Sequence, residues 1–172
     1  MALHLIIDGY NLIRQSPRLS ELDARDLELG REALLQQLGA YRRHRPQHAI
    51  TVVFDGWQSG GVRESRDLYQ GVTVVFSRRG ERADEVIKRL LERERERAVV
   101  VSTDRELRDY ADKVGATWVT AAEFERLCVL GETGEDVEEG EVPQWWGRTR
   151  KKGPARRASK RQRQRQQRLR KL

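Results

Sequence analysis

Residues 3–9, Leu3-His4-Leu5-Ile6-Ile7-Asp8-Gly9, form a short and mostly apolar run that ends in a turn dipeptide. A run of this length, bounded by a turn, is typical of a buried strand. Four more runs of the same kind follow, at residues 49–54, 72–76, 98–101 and 116–119. The sequence therefore predicts five buried strands.

Amphipathic helices are predicted between most of these strands. The segment 26–44 ends at Arg45-Pro46 and carries apolar residues at helical spacing, namely Leu27, Leu34, Leu35, Leu38 and Tyr41. Residues 83–97 place their apolar side chains on one face, and residues 105–114 and 121–130 predict two further helices. Apart from the second and third strands, strands and helices alternate. This order predicts an α/β fold with a doubly wound parallel sheet of about five strands.

The charge of the chain is unevenly distributed. The net charge is +7, yet residues 1–130 hold 21 basic and 21 acidic side chains. Residues 131–147 hold six acids and no base, whereas residues 148–172 hold 13 bases and no acid. Neither segment has enough apolar residues to build a core. We therefore expect a folded domain over 1–130, an acidic linker over 131–147 and a disordered basic tail over 148–172, whose deletion should leave melting nearly unchanged.

The basic tail indicates a polyanionic partner that is met by one end of the chain. Two tryptophans directly precede the bases, and this combination suits phosphate contacts together with base stacking. We expect RNA contacts from Trp145, Trp146, Arg148, Arg150, Lys151, Lys152, Arg156 and Arg157. A basic tail binds DNA as readily as RNA. Binding to an anionic membrane surface also stays open, as does a tail that only increases solubility.

Composition argues against several classes of protein. No apolar run approaches the roughly 18 residues of a membrane span, and His4 and Asp8 interrupt any signal peptide, so we expect a cytoplasmic protein. A single cysteine, Cys128, forms no internal disulfide and gives no thiolate zinc site. His44 and His48 have helical spacing, but Pro46 between them breaks the helix that would align them for a metal.

Acidic side chains follow the predicted strands at the point where each strand ends. Asp8, Asp55 and Asp104 follow the first, second and fourth strands, and Asp84 opens the helix after the third. Because ligands bind beyond the carboxyl ends of parallel strands, we expect these carboxylates to converge. They repel one another unless a cation lies between them, and oxygen donors suit Mg²⁺ or Mn²⁺. One such ion, or a pair, would support phosphodiester hydrolysis.

Each acid also has an ordinary structural interpretation. Asp8-Gly9 and Asp55-Gly56 are common turn dipeptides, Asp84 is favourable charge in a first helical turn, and Asp104 is a potential N-cap. These interpretations need four separate explanations, whereas a shared metal site needs one. Asn11 is interpreted as a polar group that orients a ligating carboxylate, with a left-handed turn residue as the alternative. Tyr10 is interpreted as a packing residue.

Four motifs together resemble the YacP-like branch of the NYN domains, within the PIN-like nuclease superfamily. They are LIIDGYNLI at 5–13, VVFDG at 52–56, ADEVI at 83–87 and VVSTD at 100–104. The resemblance covers about residues 1–130 and leaves the linker and tail outside. It implies a PIN-like sheet and a divalent-metal-dependent endoribonuclease that cleaves messenger RNA at the ribosome. The family's site carries over as Asp8, Asp84 and Asp104 for metal, Asp55 as a fourth acid and Asn11 as a supporting group.

Other classes with acids at strand ends fit less well. A receiver domain needs paired acids after the first strand and a lysine after the fifth, but Ile7 precedes Asp8 and Thr120-Ala121 follow the last strand. A haloacid dehalogenase phosphatase needs Asp-x-Asp, and Tyr10 takes the second position. A non-catalytic RNA- or ribosome-binding module with a structural ion stays open as the alternative. We predict a Mg²⁺- or Mn²⁺-dependent endoribonuclease with RNA, and the ribosome as a further candidate, as partners.

Overall fold

The computed structural model describes residues 2–56, 61–133 and 160–172. Six strands form one sheet: β1 (His4–Asp8), β2 (Ala49–Phe54), β3 (Ser65–Tyr69), β4 (Val72–Phe76), β5 (Ala98–Val101) and β6 (Thr117–Val119). The strand order is β3-β4-β2-β1-β5-β6, and every pairing is parallel except that of β3 with β4. The predicted α/β fold is thus confirmed, and the sheet differs from the expected parallel one by one additional, antiparallel strand.

The helices in these ranges are α1 (Gly9–Gln15), α2 (Pro17–Arg25), α3 (Leu27–His44), α4 (Ala83–Glu94), α5 (Arg105–Val114), α6 (Ala121–Thr133) and α7 (Lys160–Leu169). The sequence predicts α3 to α6 but not α1 or α2. Both are short, and they are separated only by Ser16, whose hydroxyl caps α2 by accepting the Leu19 N–H at 3.3 Å. None of the described helices is long and apolar enough to span a membrane.

β3 is the strand that the sequence does not predict. Its residues are mostly exposed, so it lacks the apolar run that marks the other five. It lies at the edge of the sheet and pairs with β4 across a two-residue turn. Gln70 and Gly71 in that turn have φ of 47° and 81°, and positive φ at both positions is the geometry of tight hairpin turns. Local turn geometry, rather than burial, therefore defines this strand.

The sheet buries apolar side chains on both faces. Leu5 and Ile7 of β1 pack towards α1, α3 and α6, whereas Ile6 packs towards α4 and α5. Val52 and Val53 of β2 divide in the same way. Strands with two buried faces carry continuous rather than alternating apolar residues, which is why five of them are visible in the sequence.

The expectation of a disordered tail over residues 148–172 is wrong for residues 160–172. Leu172 is 5% exposed and packs, with Leu169, against the core cluster that includes Leu38. The Tyr41 hydroxyl donates to the Leu172 carbonyl oxygen at 2.7 Å. Composition does not predict this packing, because Leu169 and Leu172 are the only apolar residues in a segment of basic residues and glutamines. Residues 134–159, which include most of the predicted linker and the first part of the tail, lie outside the described residues.

His48 has a structural role. Its Nδ1 accepts the Leu3 backbone N–H at 3.1 Å, so Nε2 carries the proton and donates to the Lys171 carbonyl oxygen at 2.8 Å. Both ring nitrogens are therefore engaged, and the imidazole joins Leu3, which directly precedes β1, to the turn after α7. α3 ends at His44, so the helix does not continue through Pro46 to His48, as the sequence predicts.

The other buried histidine makes stability depend on pH. His4 is 8% exposed, with Nε2 2.8 Å from Thr51 Oγ1 and Nδ1 3.4 Å from the Glu94 carboxylate. Burial lowers the pKa of His4 below 6.5, and attraction to Glu94 offsets only part of that effect. The unfolded chain therefore takes up the proton first, and the free energy of unfolding should fall as pH drops below about 6.5.

The measurement for His4 is thermal unfolding of the wild type and of His4→Gln between about pH 5 and pH 7.5. The wild type should lose more of its melting temperature on acidification than the variant does. The difference between the two proteins isolates His4 from carboxylates that titrate in the same range. Parallel curves would contradict the prediction.

Candidate active site

Asp8 lies at the centre of the carboxyl edge of the sheet. It ends β1, which pairs with β2 on one side and β5 on the other, and its side chain is half-buried. Ser102 Oγ donates to Asp8 Oδ2 at 3.3 Å, and the Asn11 backbone N–H donates to the same carboxylate. Burial, with repulsion from Asp84 and then Asp104, raises the pKa of Asp8 to about 6. The two hydrogen bonds offset only part of this shift.

Asp84 and Asp104 each lie at the start of a helix that faces this edge. Asp84 is in the first turn of α4, and burial followed by repulsion from Asp104 raises its pKa. Asp104 caps α5, since its Oδ1 accepts the N–H groups of Glu106 at 2.7 Å and Leu107 at 3.3 Å. The N-cap interpretation of Asp104 is thus correct. The structure brings Asp8, Asp84 and Asp104 close enough to repel one another.

Asp55 follows β2 at the same edge and is half-buried. In the β1–β2 pairing Asp8 is opposite Val53, so Asp55 lies two residues further along the neighbouring strand. The carboxylates that raise the pKa of Asp8 are those of Asp84 and Asp104. Asp8, Asp84 and Asp104 thus repel one another, and Asp55 lies at the end of the adjacent strand.

Asn11 supports the carboxylates in two ways. Its backbone N–H donates to Asp8, and its side-chain oxygen accepts both the Thr103 N–H at 2.9 Å and the Thr103 hydroxyl at 3.0 Å. The side chain thus holds the loop between β5 and α5, which carries Asp104. The supporting role of Asn11 stays a prediction, for which these contacts supply the geometry.

Two serine side chains that the sequence does not predict, Ser102 and Ser77, also support the site. Ser102 is fully buried, and its hydroxyl bridges Asp8 and the Asp104 backbone N–H, which it accepts at 3.1 Å. Ser77 Oγ accepts the Gly56 N–H at 2.8 Å and donates to the Glu81 carbonyl oxygen at 2.7 Å. It thereby ties the end of β2 to the loop before α4. Both are polar residues directly after a buried strand, and that position was the available signal.

The donors suit a divalent cation but do not form a closed metal centre. Within residues 2–56, 61–133 and 160–172, no group of three or more His, Cys, Asp or Glu side chains is arranged to hold a metal ion. Mg²⁺ keeps several waters and is commonly bound through one or two carboxylates plus a substrate phosphate. A cation would also relieve the repulsion among Asp8, Asp84 and Asp104. The residues therefore fit an open, water-rich site for a hard cation.

The predicted RNA-binding residues of the basic segment cannot be placed in this site. They all lie outside the described residues: Trp145, Trp146, Arg148, Arg150, Lys151, Lys152, Arg156 and Arg157. Their role stays a prediction from the sequence.

The family model for the YacP-like NYN domain matches residues 5–171. The chain therefore belongs to the YacP-like NYN domain family, which is part of the PIN-like nuclease group. Nucleases of this group act on nucleic acid and typically use divalent metals. The match corrects the expectation that the resemblance ends near residue 130. Within the described part of this region, Leu169 and Leu172 pack against the core cluster.

Relatives from Bacillus subtilis support this assignment. Uncharacterized protein YacP of strain 168 is 36% identical over 86 residues, which are 50% of this chain and 49% of the relative, so the aligned part spans about half of that protein. Two crystal structures of Rae1 (YacP) from Bacillus subtilis, one of a tryptophan-to-leucine mutant, superpose with a TM-score of 0.63 and 28% identity. Each comparison covers 76–77% of both chains. The α/β fold is thus shared with these proteins.

Proposed function

We propose that the protein is a divalent-metal-dependent endoribonuclease that hydrolyses RNA phosphodiester bonds. The observation that supports this most strongly is the repelling trio of Asp8, Asp84 and Asp104 at the carboxyl edge of an NYN-domain sheet. Messenger RNA at the ribosome is the substrate that we propose from the family resemblance. The bases and tryptophans of 145–157 are proposed to add contacts to the same RNA.

The chain's own residues have distinct tasks in this proposal. Asp8, Asp84 and Asp104 would supply the carboxylates for the cation, one or two of them binding it together with water and the RNA phosphate, with Asp55 as a further acid at the rim. Ser102 and the Asn11 N–H fix the orientation of the Asp8 carboxylate, and the Asn11 side chain fixes the loop that carries Asp104. A bound Mg²⁺ or Mn²⁺ supplies charge neutralisation at the phosphodiester and lowers the pKa of a bound water.

A non-catalytic RNA- or ribosome-binding module with a structural ion is the second candidate. The observation in its favour is that Asp104 already serves α5 as N-cap through Oδ1, so part of the acidic cluster has a structural use. Such a module would retard RNA with or without Mg²⁺ and would never shorten it.

The deciding experiment uses purified protein with two substrates: a circular RNA, which only an endonuclease can open, and translating ribosomes. Each is incubated with Mg²⁺, Mn²⁺ or EDTA. We expect linear products from the circle or internal cuts in ribosome-bound messenger RNA, in Mg²⁺ or Mn²⁺ and not in EDTA. Retardation of RNA without any cleavage under all of these conditions would favour the binding module.

A further inference from the structure

We propose that Tyr10, Arg14 and Arg31 form a binding site for one nucleotide of single-stranded RNA, adjacent to the acidic cluster. The base would stack on the Tyr10 ring, and the guanidinium groups of Arg14 and Arg31 would bind the neighbouring phosphates. The inference deepens the proposed function, on which it rests for the identity of the ligand as RNA.

A row of aromatic rings runs along the carboxyl edge of the sheet. Tyr10 is two residues beyond Asp8 in the chain, and its ring packs at 5.2 Å from Phe54, tilted by 60°. Phe54 stacks in turn on Phe76 at 5.4 Å. Phe54 is completely buried, whereas Tyr10 and Phe76 at the two ends of the row are half-buried. Tyr10 and Phe76, which pack against the core, thus keep part of their surface exposed at the two ends of the row.

The position of Tyr10 is fixed by close packing beneath it. A Cβ atom at Gly9 would lie only 2.4 Å from the Phe54 ring, so a glycine is needed for α1 to approach β2 this closely. Gly9 joins Asp8, the last residue of β1, to Tyr10. The Tyr10 ring is consequently held at a set distance from the acidic cluster. A nucleotide bound on this ring would be aligned with the site where its chain is cut.

Two guanidinium groups lie over this aromatic row. Arg31 Nη1 lies 3.3 Å from the Tyr10 hydroxyl, to which it donates, and its guanidinium carbon is 5.5 Å from the Phe76 ring centroid. The Arg14 guanidinium is 5.8 Å from the Tyr10 ring. In the described part of the chain, no ion pair joins Arg14 or Arg31 to a carboxylate. Their positive charge can therefore bind a phosphate without breaking an ion pair.

Trp118 provides a comparison, because two arginine side chains stack directly on its ring and cover it. Arg165 and Arg108 lie 3.9 Å and 4.1 Å from the Trp118 ring centroid, at direct stacking distance. Arg14, by contrast, is an exposed side chain and lies well beyond that distance from Tyr10. Rotation of Arg14 can admit a base to the Tyr10 ring, with the guanidinium still close to the phosphates.

The chemistry of this surface favours a single strand. The three carboxylates repel the phosphates of any nucleic acid, so attraction has to come from groups at the rim of the site. Aromatic stacking requires an unstacked base, which single strands provide and A-form duplexes do not. Arginine next to an exposed aromatic ring supplies both the stacking and the phosphate contact.

The test measures binding of a short fluorescent single-stranded RNA in EDTA, where no cleavage interferes. Tyr10→Ala should weaken binding about tenfold, whereas Tyr10→Phe, which keeps the ring, should retain most of it. Arg14→Ala and Arg31→Ala should each reduce the slope of log affinity against log salt by about 0.7. Arg97→Ala is the matched control, because Arg97 is exposed and directly precedes β5 at the opposite edge of the sheet. A 2-aminopurine base in the RNA should be quenched by the wild type and not by Tyr10→Ala.

Unchanged affinity and salt slope in Tyr10→Ala and Arg14→Ala would overturn this inference, and so would a wild type that binds no single-stranded RNA. If Tyr10→Ala fails to fold, Arg14→Ala decides the matter, because Arg14 is exposed and its truncation leaves the packing of Tyr10 on Phe54 in place. RNA binding that depends on these residues, with no cleavage in Mg²⁺ or Mn²⁺, would refute the nuclease proposal and leave this inference standing. If RNA cleavage and RNA binding are both unaffected by substitution of these residues, this inference is refuted and the nuclease proposal stands.

Discussion

Asp8→Asn and Asp84→Asn should each reduce RNA cleavage by about 10²- to 10⁴-fold while leaving the fold intact, because a cation ligand is worth several kcal/mol to the transition state. Each substitution removes one negative charge from a cluster whose members repel one another. Asp109→Asn is the matched control, since Asp109 is 74% exposed and pairs with Arg105 on the surface of α5. Cleavage at the wild-type rate by a folded Asp8 or Asp84 variant would show that the site is assigned wrongly.

The same variants should be more stable than the wild type when no metal is present. The pKa of Asp8 is raised to about 6, so the folded state favours protonated Asp8 and its ionised form at pH 7.5 opposes folding. Asp8→Asn should therefore gain about 1–2 kcal/mol, since some of the benefit is lost with the hydrogen bonds to the carboxylate. Millimolar Mg²⁺ should raise the melting temperature of the wild type and not that of Asp84→Asn. An equal shift in both proteins would place the ion elsewhere.

Deleting residues 160–172 should lower the free energy of unfolding by about 3–5 kcal/mol, although composition alone predicts almost no effect. The deletion opens the core at Leu172 and leaves the buried Tyr41 hydroxyl and one His48 nitrogen without their partners. Leu172→Ala alone should cost about 2–3 kcal/mol. Arg170→Ala, at an exposed position in the turn after α7, is the control and should change stability by less than about 0.5 kcal/mol.

Chemical denaturation of the four proteins measures these differences. Identical midpoints for the wild type and the deletion variant would mean that α7 does not contribute to the core. The variant Leu172→Ala guards against a simple effect of shortening the chain, because it keeps every residue and removes only the buried side chain.

The strands that could be predicted from the sequence are those whose side chains are buried on both faces of the sheet. Val99, Val100 and Val101 of β5 show this, because a strand buried on two faces requires an unbroken apolar run. β3 could not be predicted in this way, since its residues are mostly exposed and only its hairpin turn fixes it. The packing of residues 160–172 was missed for a related reason: it depends on Leu169 and Leu172 meeting a core cluster whose members, such as Leu38 and Phe124, lie far from them in the sequence.

For the candidate site, the sequence could predict which residues lie together at the carboxyl edge of the sheet. The positions of Asp8, Asp55 and Asp104 after strands follow from strand order, since parallel strands end together. The contacts of Ser102 could not be derived, because they depend on where a hydroxyl on one strand end meets a carboxylate on the next. Asp104 shows that the two interpretations of an acid are compatible, because one carboxylate both caps a helix and belongs to the cluster.

Asp104 belongs to the acidic cluster and also caps α5, so the cluster is coupled to the unfolding of the first turn of that helix. Oδ1 is committed to the amides of Glu106 and Leu107, so an ion bound at this carboxylate and the first turn of the helix share one side chain. If the proposed ion binds Asp104, it would also stabilise the cap, and fraying of that turn would weaken the binding of the ion. Hydrogen exchange at the Glu106 and Leu107 amides would therefore report site occupancy, and occupancy would be felt along α5 without any rigid-body movement.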